Sequence, residues 1–161
     1  MDAFESREAG IVGYVAGESV ILAGCPLAHA PRRKLRPAAI EADVPLLTAF
    51  TGMDRSLIDH LKSQGMKGLV IEGFGAGNVP PAIVPALEEC LAASIPVVLA
   101  TRCIEGGVWP IYGYPGGGAD LSDRGVILCG RLGGPKARLR LMCALGLTRD
   151  MHEIRDLFED A

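Results

Sequence analysis

Residues Lys67-Gly68-Leu69-Val70-Ile71-Glu72-Gly73-Phe74-Gly75-Ala76-Gly77-Asn78-Val79-Pro80-Pro81 decide the reading of the whole chain. A short run of large apolar residues, Leu69-Val70-Ile71, gives way to a loop in which glycine recurs. Two prolines follow. Proline suits the first turn of a helix, because the N–H it lacks would have no intrahelical acceptor there. The pattern predicts a buried strand over 68–71, a glycine-rich loop over 72–78 and a helix opened by Pro80 and Pro81. The inner face of that helix is Ile83, Val84, Leu87 and Leu91, spaced at one side of a 3.6-residue period.

The same alternation continues on both sides. Upstream, Val44 to Phe50 reads as a buried strand. Asp54 is placed to cap a helix that carries Leu57, Ile58 and Leu61 on one face and stops at Gly65. Downstream, Pro96 to Ala100 is a third strand and Val126 to Cys129 a fourth, separated by a long loop over 101–119 rich in glycine and proline. Loops of that length in compact domains are usually functional. Pro135 opens a helix that turns Leu139, Met142, Cys143 and Leu145 inward and ends at Gly146. A last helix over 149–159 offers Ile154, Leu157 and Phe158.

Strands that alternate with helices predict a parallel sheet covered on both faces. The expected class is α/β: a small Rossmann-like parallel sheet of about four strands flanked by helices. Ligands of such sheets bind beyond the carboxyl ends of the strands, where the loops over 73–79 and 101–119 lie. Before the sheet, Ile11 to Val15 and Ser19 to Leu22 flank Ala16-Gly17-Glu18 and predict a hairpin. Pro26, Pro31, Pro37 and the basic run Arg32-Arg33-Lys34-Leu35-Arg36 mark a linker over 24–42. The expected organisation is a hairpin and linker over 1–42 and an α/β domain over 43–161.

Composition narrows the function. The 161 residues carry a net charge of −3, with 49% apolar residues and a mean hydropathy of +0.29. The one basic run has no aromatic beside it, so no nucleic-acid partner is expected. No apolar stretch approaches the ~18 residues of a membrane-spanning helix. The first residues lack the charged and apolar regions of a secretory leader. Cys25, Cys90, Cys103, Cys129 and Cys143 are widely spaced and form no C-x-x-C pair. They read as small buried hydrophobes in a reducing, cytoplasmic compartment.

Candidate chemistry is confined to the glycine loop. Gly75-Ala76-Gly77 does not complete a G-x-G-x-x-G fingerprint, because Pro80 occupies the third position. Two glycines still allow a ligand to approach the backbone closely. Asn78 has two roles open to it: a cap for the next helix, or a ligand-binding amide at the sheet edge. Gly133-Gly134-Pro135-Lys136 lacks phosphate-loop spacing and reads as a turn and helix start. His29, His60 and His152 are far apart, and no metal or cofactor motif occurs. Asp59, Lys62 and Glu89 read as a solvated face. No Ser or Thr stands in a setting that supplies both a base and an oxyanion stabiliser.

Five segments, in order, resemble the bacterial L-asparaginase family. They are Asp2-Ala3-Phe4-Glu5-Ser6 with Gly10 to Gly13; Gly52-Met53-Asp54 before Leu57-Ile58; Lys67 to Pro80; Ile95 to Arg102; and Gly134 to Leu139 running on to Leu147. The first is similar to the segment that closes the family's N-terminal domain, and the other four match its C-terminal half, with its strand, G-x-G-N loop, Thr-Arg strand end and late helix. The resemblance implies the C-terminal domain of an amidohydrolase that converts asparagine, and often glutamine, to acid and ammonia without a cofactor. It implies that the threonine nucleophile belongs to the larger N-terminal domain; the T-G-G-T-I-like and T-D-T-like motifs do not occur in these 161 residues.

The resemblance further implies a homo-oligomer in which this domain contributes to a neighbouring subunit's active site. Asn78, set among Gly75 and Gly77, would hold the substrate's α-amino end. The family's second ammonium-binding residue, a glutamate, falls on glycine within Gly116-Gly117-Gly118, with Asp120 the nearest acid. The asparaginase-like subunit of a transfer-RNA-dependent amidotransferase shares this domain. A non-catalytic amino-acid-binding or assembly module is the alternative reading, and an independent short enzyme would need a nucleophile that the pattern does not reveal.

Overall fold

The computed structural model describes residues 12–22 and 34–159. Ile11, Cys25, His29, most of the expected linker, part of the basic run and the segment Asp2–Ser6 lie outside these residues. The chain divides into two compact units, Met1–Arg32 and Arg33–Ala161.

The first unit holds the expected hairpin. Strands β1 (Gly13–Ala16) and β2 (Ser19–Leu22) pair antiparallel, with Val15 opposite Val20. Gly17, at φ +60°, supplies the positive φ that a two-residue hairpin turn demands.

The second unit is the predicted α/β domain. Its strands are β3 (Leu46–Thr48), β4 (Leu69–Gly73), β5 (Val97–Thr101) and β6 (Ile127–Leu128), parallel and in the order β3-β4-β5-β6. Helix α1 (Ser56–Ser63) links β3 to β4. A 3₁₀ turn (Pro81–Ile83) and α2 (Val84–Ala92) link β4 to β5. Helix α3 (Gly118–Asp123) precedes β6, and α4 (Gly134–Leu145) and α5 (Met151–Glu159) close the unit.

Both faces of the sheet are covered. A side chain added at Gly68 would meet Leu141 and Leu145 of α4, and Glu72 reaches Gly134 of the same helix. Alternation along β4 therefore turns Gly68, Val70 and Glu72 toward α4 and Leu69 and Ile71 the other way. Leu69, Val70 and Ile71 are all at 0% exposure, so neither face meets water. Helices α1 and α2 pack on each other, and Arg55, Asp59, Lys62 and Glu89 tie them with ion pairs of 2.6–3.2 Å. These pairs are exposed and contribute little to stability.

Several expectations are corrected in detail. The first domain strand is shorter than Val44–Phe50. Ala49 N–H still bonds Glu72 C=O, but a turn follows in which Met53 N–H bonds Phe50 C=O, and Phe50 is left half exposed. Asp54 does not cap α1. Its carboxylate accepts from Ser56 N–H and Oγ in a local turn, and Arg55 takes the cap position without a side-chain bond. Leu57 and Leu139 face outward. In α4 the buried residues are Gly134, Ala137, Leu141, Met142, Ala144 and Leu145; Met142 and Leu145 face inward as expected, and the spacing leaves Leu139 off the core side. The loop over 101–119 is interrupted at its end by α3, a one-and-a-half-turn helix too short to announce itself by periodicity.

The cysteines divide by setting. Cys90 and Cys129 are buried, and burial pushes the Cys129 thiol up to about 12. Cys103 is exposed, against the expectation of a buried hydrophobe, because it sits just beyond the end of β5.

Candidate functional site

The carboxyl ends of β4 and β5 lie side by side, with Gly73 opposite Thr101. Beyond Gly73 the chain makes a tight loop. Phe74 N–H bonds Asn78 C=O at 2.8 Å, while Gly77 N–H and Asn78 N–H both bond Phe74 C=O, at 3.0 and 2.9 Å. Gly75 and Gly77 sit at φ +50° and +104°, a region that disfavours any residue with a Cβ. At Gly77 a Cβ would also collide with Val108 of the following loop.

Thr101 and Arg102 hold this loop from β5. Thr101 Oγ1 donates to Gly75 C=O at 2.6 Å and accepts from Cys103 N–H at 3.1 Å. Arg102 bonds Ala49 C=O at 3.0 Å, and its guanidinium lies 5.1 Å from the centre of the Phe74 ring. Thr101 is 7% exposed, so its hydroxyl serves these bonds rather than water.

The loop over 102–117 locks onto the glycine loop through main-chain bonds. Trp109 N–H meets Ala76 C=O at 3.1 Å, and Val79 N–H meets Gly116 C=O at 2.8 Å. Gly116, Gly117 and Gly118 are all buried, and a Cβ at any of them would run into the carbonyl of Val79, Tyr112 or Trp109. Close backbone approach is thus the reason for three successive glycines, and no acidic side chain fits there. Asp120 does not stand in for one. Its carboxylate accepts from Gly116 N–H at 2.9 Å and pairs with Arg124 at 2.8 Å. Arg124, and then the Gly116 N–H, hold the Asp120 carboxyl below the usual carboxylate range.

Asn78 stands at the rim of this arrangement, half-buried. Its Nδ2 donates to Phe74 C=O at 3.3 Å, and its Oδ1 accepts from the Tyr114 hydroxyl at 2.9 Å. The capping role is overturned, because Pro80 fills the cap position of the following 3₁₀ turn and no side chain bonds there. The structure brings Gly75, Gly77 and Asn78 together with Thr101, marked in the sequence only as part of a Thr-Arg strand end, and with Tyr114, which the sequence did not single out. Their signals were faint: a Thr at a strand end, and an aromatic between Gly113 and Pro115 in a glycine-rich loop.

The other candidates lie elsewhere. Gly133 to Lys136 opens α4, with Gly133 at the cap and Pro135 in the first turn. His60 and His152 are exposed on α1 and α5. Among the described residues no group of His, Cys, Asp and Glu could hold a metal ion, and no helix is long and apolar enough to cross a membrane.

A sequential four-stranded parallel sheet with a glycine-built polar loop at its carboxyl edge defines the class: a small α/β domain. Residues 43–158 match the family model described as the glutaminase/asparaginase C-terminal domain. The chain belongs to that family and corresponds to its C-terminal domain.

It is similar to a protein of Deinococcus radiodurans named probable L-asparaginase, at 39% identity over 80% of this chain and 38% of that protein. It is also similar to a glutamyl-tRNA(Gln) amidotransferase component of Pyrococcus abyssi, at 34% identity over 73% of this chain and 26% of that protein. The structure of the thermostable L-asparaginase from Thermococcus kodakarensis superimposes with a TM-score of 0.74 at 28% identity, over 92% of this chain and 44% of that chain. This chain therefore spans well under half the length of these relatives.

Proposed function

We propose that the loop Gly75–Asn78 binds the α-amino-acid end of a small amide substrate, asparagine or else glutamine, within an asparaginase-type amidohydrolase. One observation carries this reading. Asn78 presents its side-chain amide at the carboxyl edge of the sheet, fixed by Phe74 C=O and Tyr114 rather than spent on a helix cap. An amide oxygen has two lone pairs, so Oδ1 retains one for a substrate ammonium. Gly75 is exposed and a Cβ there would meet only Asn78 Nδ2, at 3.9 Å, so a ligand can approach the main chain at that residue, while Gly77 lets Val108 pack against the loop.

In this proposal the domain completes the active site of a neighbouring subunit in a homo-oligomer, and a threonine of an asparaginase N-terminal domain supplies the nucleophile. Residues 1–42 are then the junction with that domain and 43–161 the substrate-binding domain. Four free cysteines among the described residues suit a reducing, cytoplasmic setting. The similarity to amidotransferase components favours a second reading, in which the same site releases ammonia for amide transfer.

The test is ammonia release from asparagine and glutamine by the chain alone and mixed with a separately produced asparaginase N-terminal domain. Activity in the mixture that Asn78→Ala abolishes supports the proposal. Activity of the unmixed chain, or activity indifferent to Asn78→Ala, overturns it.

A further inference from the structure

Phe74 C=O can only accept a hydrogen bond, so the side of the Asn78 amide that faces it, 3.3 Å away, must be Nδ2. Oδ1 then faces Tyr114. Because Oδ1 can only accept, the Tyr114 hydroxyl, 2.9 Å away, must spend its one proton on it. The chain of donors is thereby directed, from Tyr114 Oη–H to Asn78 Oδ1 and from Asn78 Nδ2 to Phe74 C=O. Tyr114 Oη is left with no proton to give and with lone pairs to offer. Oδ1 keeps a free lone pair beside it.

We infer that Tyr114 Oη and Asn78 Oδ1 form a two-acceptor subsite for one ammonium group, which makes Tyr114 a ligand-contacting residue. This inference rests on the reading of Asn78 under the proposed function. Two neutral oxygens 2.9 Å apart can each take one N–H of the same ammonium. The rest of the geometry favours this use. Tyr114 is 53% exposed, so its oxygen is open to a ligand. The Tyr112 ring, 5.5 Å away between centres, supports the Tyr114 ring from the side. The main-chain bonds Trp109 N–H to Ala76 C=O and Val79 N–H to Gly116 C=O fix the two loops on which the acceptors stand. The acid nearest in sequence, Asp120, is occupied by Arg124 and Gly116 and does not compete for the ammonium.

The test is an NMR titration of the ¹⁵N-labelled chain, mixed with a separately produced asparaginase N-terminal domain, with L-aspartate and with succinate, which has the same carbon skeleton without the amino group. The backbone amides of Gly75 and Gly77 report binding. Tyr114→Phe keeps the ring and removes the hydroxyl. It is expected to weaken aspartate by about ten- to hundredfold, the range of one hydrogen bond to a charged group, and to leave succinate unchanged.

Equal loss of aspartate and succinate would make Tyr114 a structural residue and overturn the inference. Unchanged aspartate affinity in Tyr114→Phe, with loss in Asn78→Ala, overturns the inference alone and leaves Asn78 as the ammonium acceptor. Failure of aspartate to bind the unmodified chain, or affinity untouched by Asn78→Ala, overturns the reading of Asn78 and this one with it. A backbone spectrum of each variant that matches the parent away from residues 74–79 and 108–118 shows that the fold is retained.

Discussion

Replacing Gly77 by alanine sets two costs against the fold, and the structure allows them to be separated. The first is backbone strain. Gly77 sits at φ +104°, and holding an L-residue at positive φ costs about 1–2 kcal/mol. The second is collision. The new Cβ would overlap Val108 Cγ1 and lie 3.1 Å from Leu99 Cδ2, and overpacking of this kind costs about 1–3 kcal/mol. The sum is roughly 2–5 kcal/mol, a large share of the ~5–15 kcal/mol that holds a domain together.

Urea denaturation followed by circular dichroism reads this directly. With a slope of about 2 kcal/mol per molar, the midpoint should fall by roughly 1–2.5 M. Val108 is 1% exposed, so Val108→Ala alone should cost about 2 kcal/mol through lost burial and a small cavity. In the double variant the overlap with Val108 Cγ1, the main part of the collision, disappears and the strain remains. Its loss should therefore fall short of the summed single losses by about 1–3 kcal/mol. Additivity within about 0.5 kcal/mol would refute the collision, and a negligible effect of Gly77→Ala would refute both costs.

Thr101→Val keeps the shape and removes the hydroxyl that bonds Gly75 C=O; it should cost about 1 kcal/mol by the same urea assay, and should broaden the Gly75 amide signal in NMR. Asp120 titrates below its ordinary value of 3.8, so its contribution to stability is complete above that value and is lost as pH falls through the lower folded value. Asp120→Asn should accordingly be less stable than the parent at neutral pH, with the gap closing below pH 3.8 in acid denaturation curves. Cys103 is exposed while Cys90 and Cys129 are buried. A disulfide reagent should therefore modify Cys103 in the folded protein and reach the other two only after denaturation, and Cys103→Ser should remove that reactive thiol.

The domain's architecture was legible because it depends on runs of apolar residues between punctuation. Leu69-Val70-Ile71 and Val97-Val98-Leu99 pair as β4 and β5 where the pattern put strands, and Gly65, Pro81 and Pro135 stand at helix boundaries. Element ends were less legible, for reasons specific to each. Asp54 has the composition of a cap, yet it stands one residue ahead of the cap position, and its carboxylate accepts from the N–H and Oγ of Ser56, the first residue of α1. Leu139 is as apolar as its neighbours, but the crossing of α4 over three strands selects Ala137, Leu141 and Ala144 instead. Small residues let the helix approach the sheet, and a hydrophobicity count does not weigh closeness of approach.

The site shows the same limit in a sharper form. Gly75, Gly77 and Asn78 stood out because a glycine-rich loop after a strand is a local feature. Thr101 and Tyr114 are 23 and 36 residues from Asn78 in sequence and reach its loop only through tertiary contacts. Nothing local distinguishes Thr101 from Thr48 or Thr148, which also sit near element ends, until the parallel register places it opposite Gly73. Gly116 to Gly118 carry information in the opposite sense. In the sequence they mark only the absence of an acidic residue, yet each is buried against a carbonyl, so they are glycines because two backbones meet there. The edge of this sheet is therefore assembled by main-chain contact between two loops, and the side chains it presents, Asn78 and Tyr114, are held in register by residues that have no side chain at all.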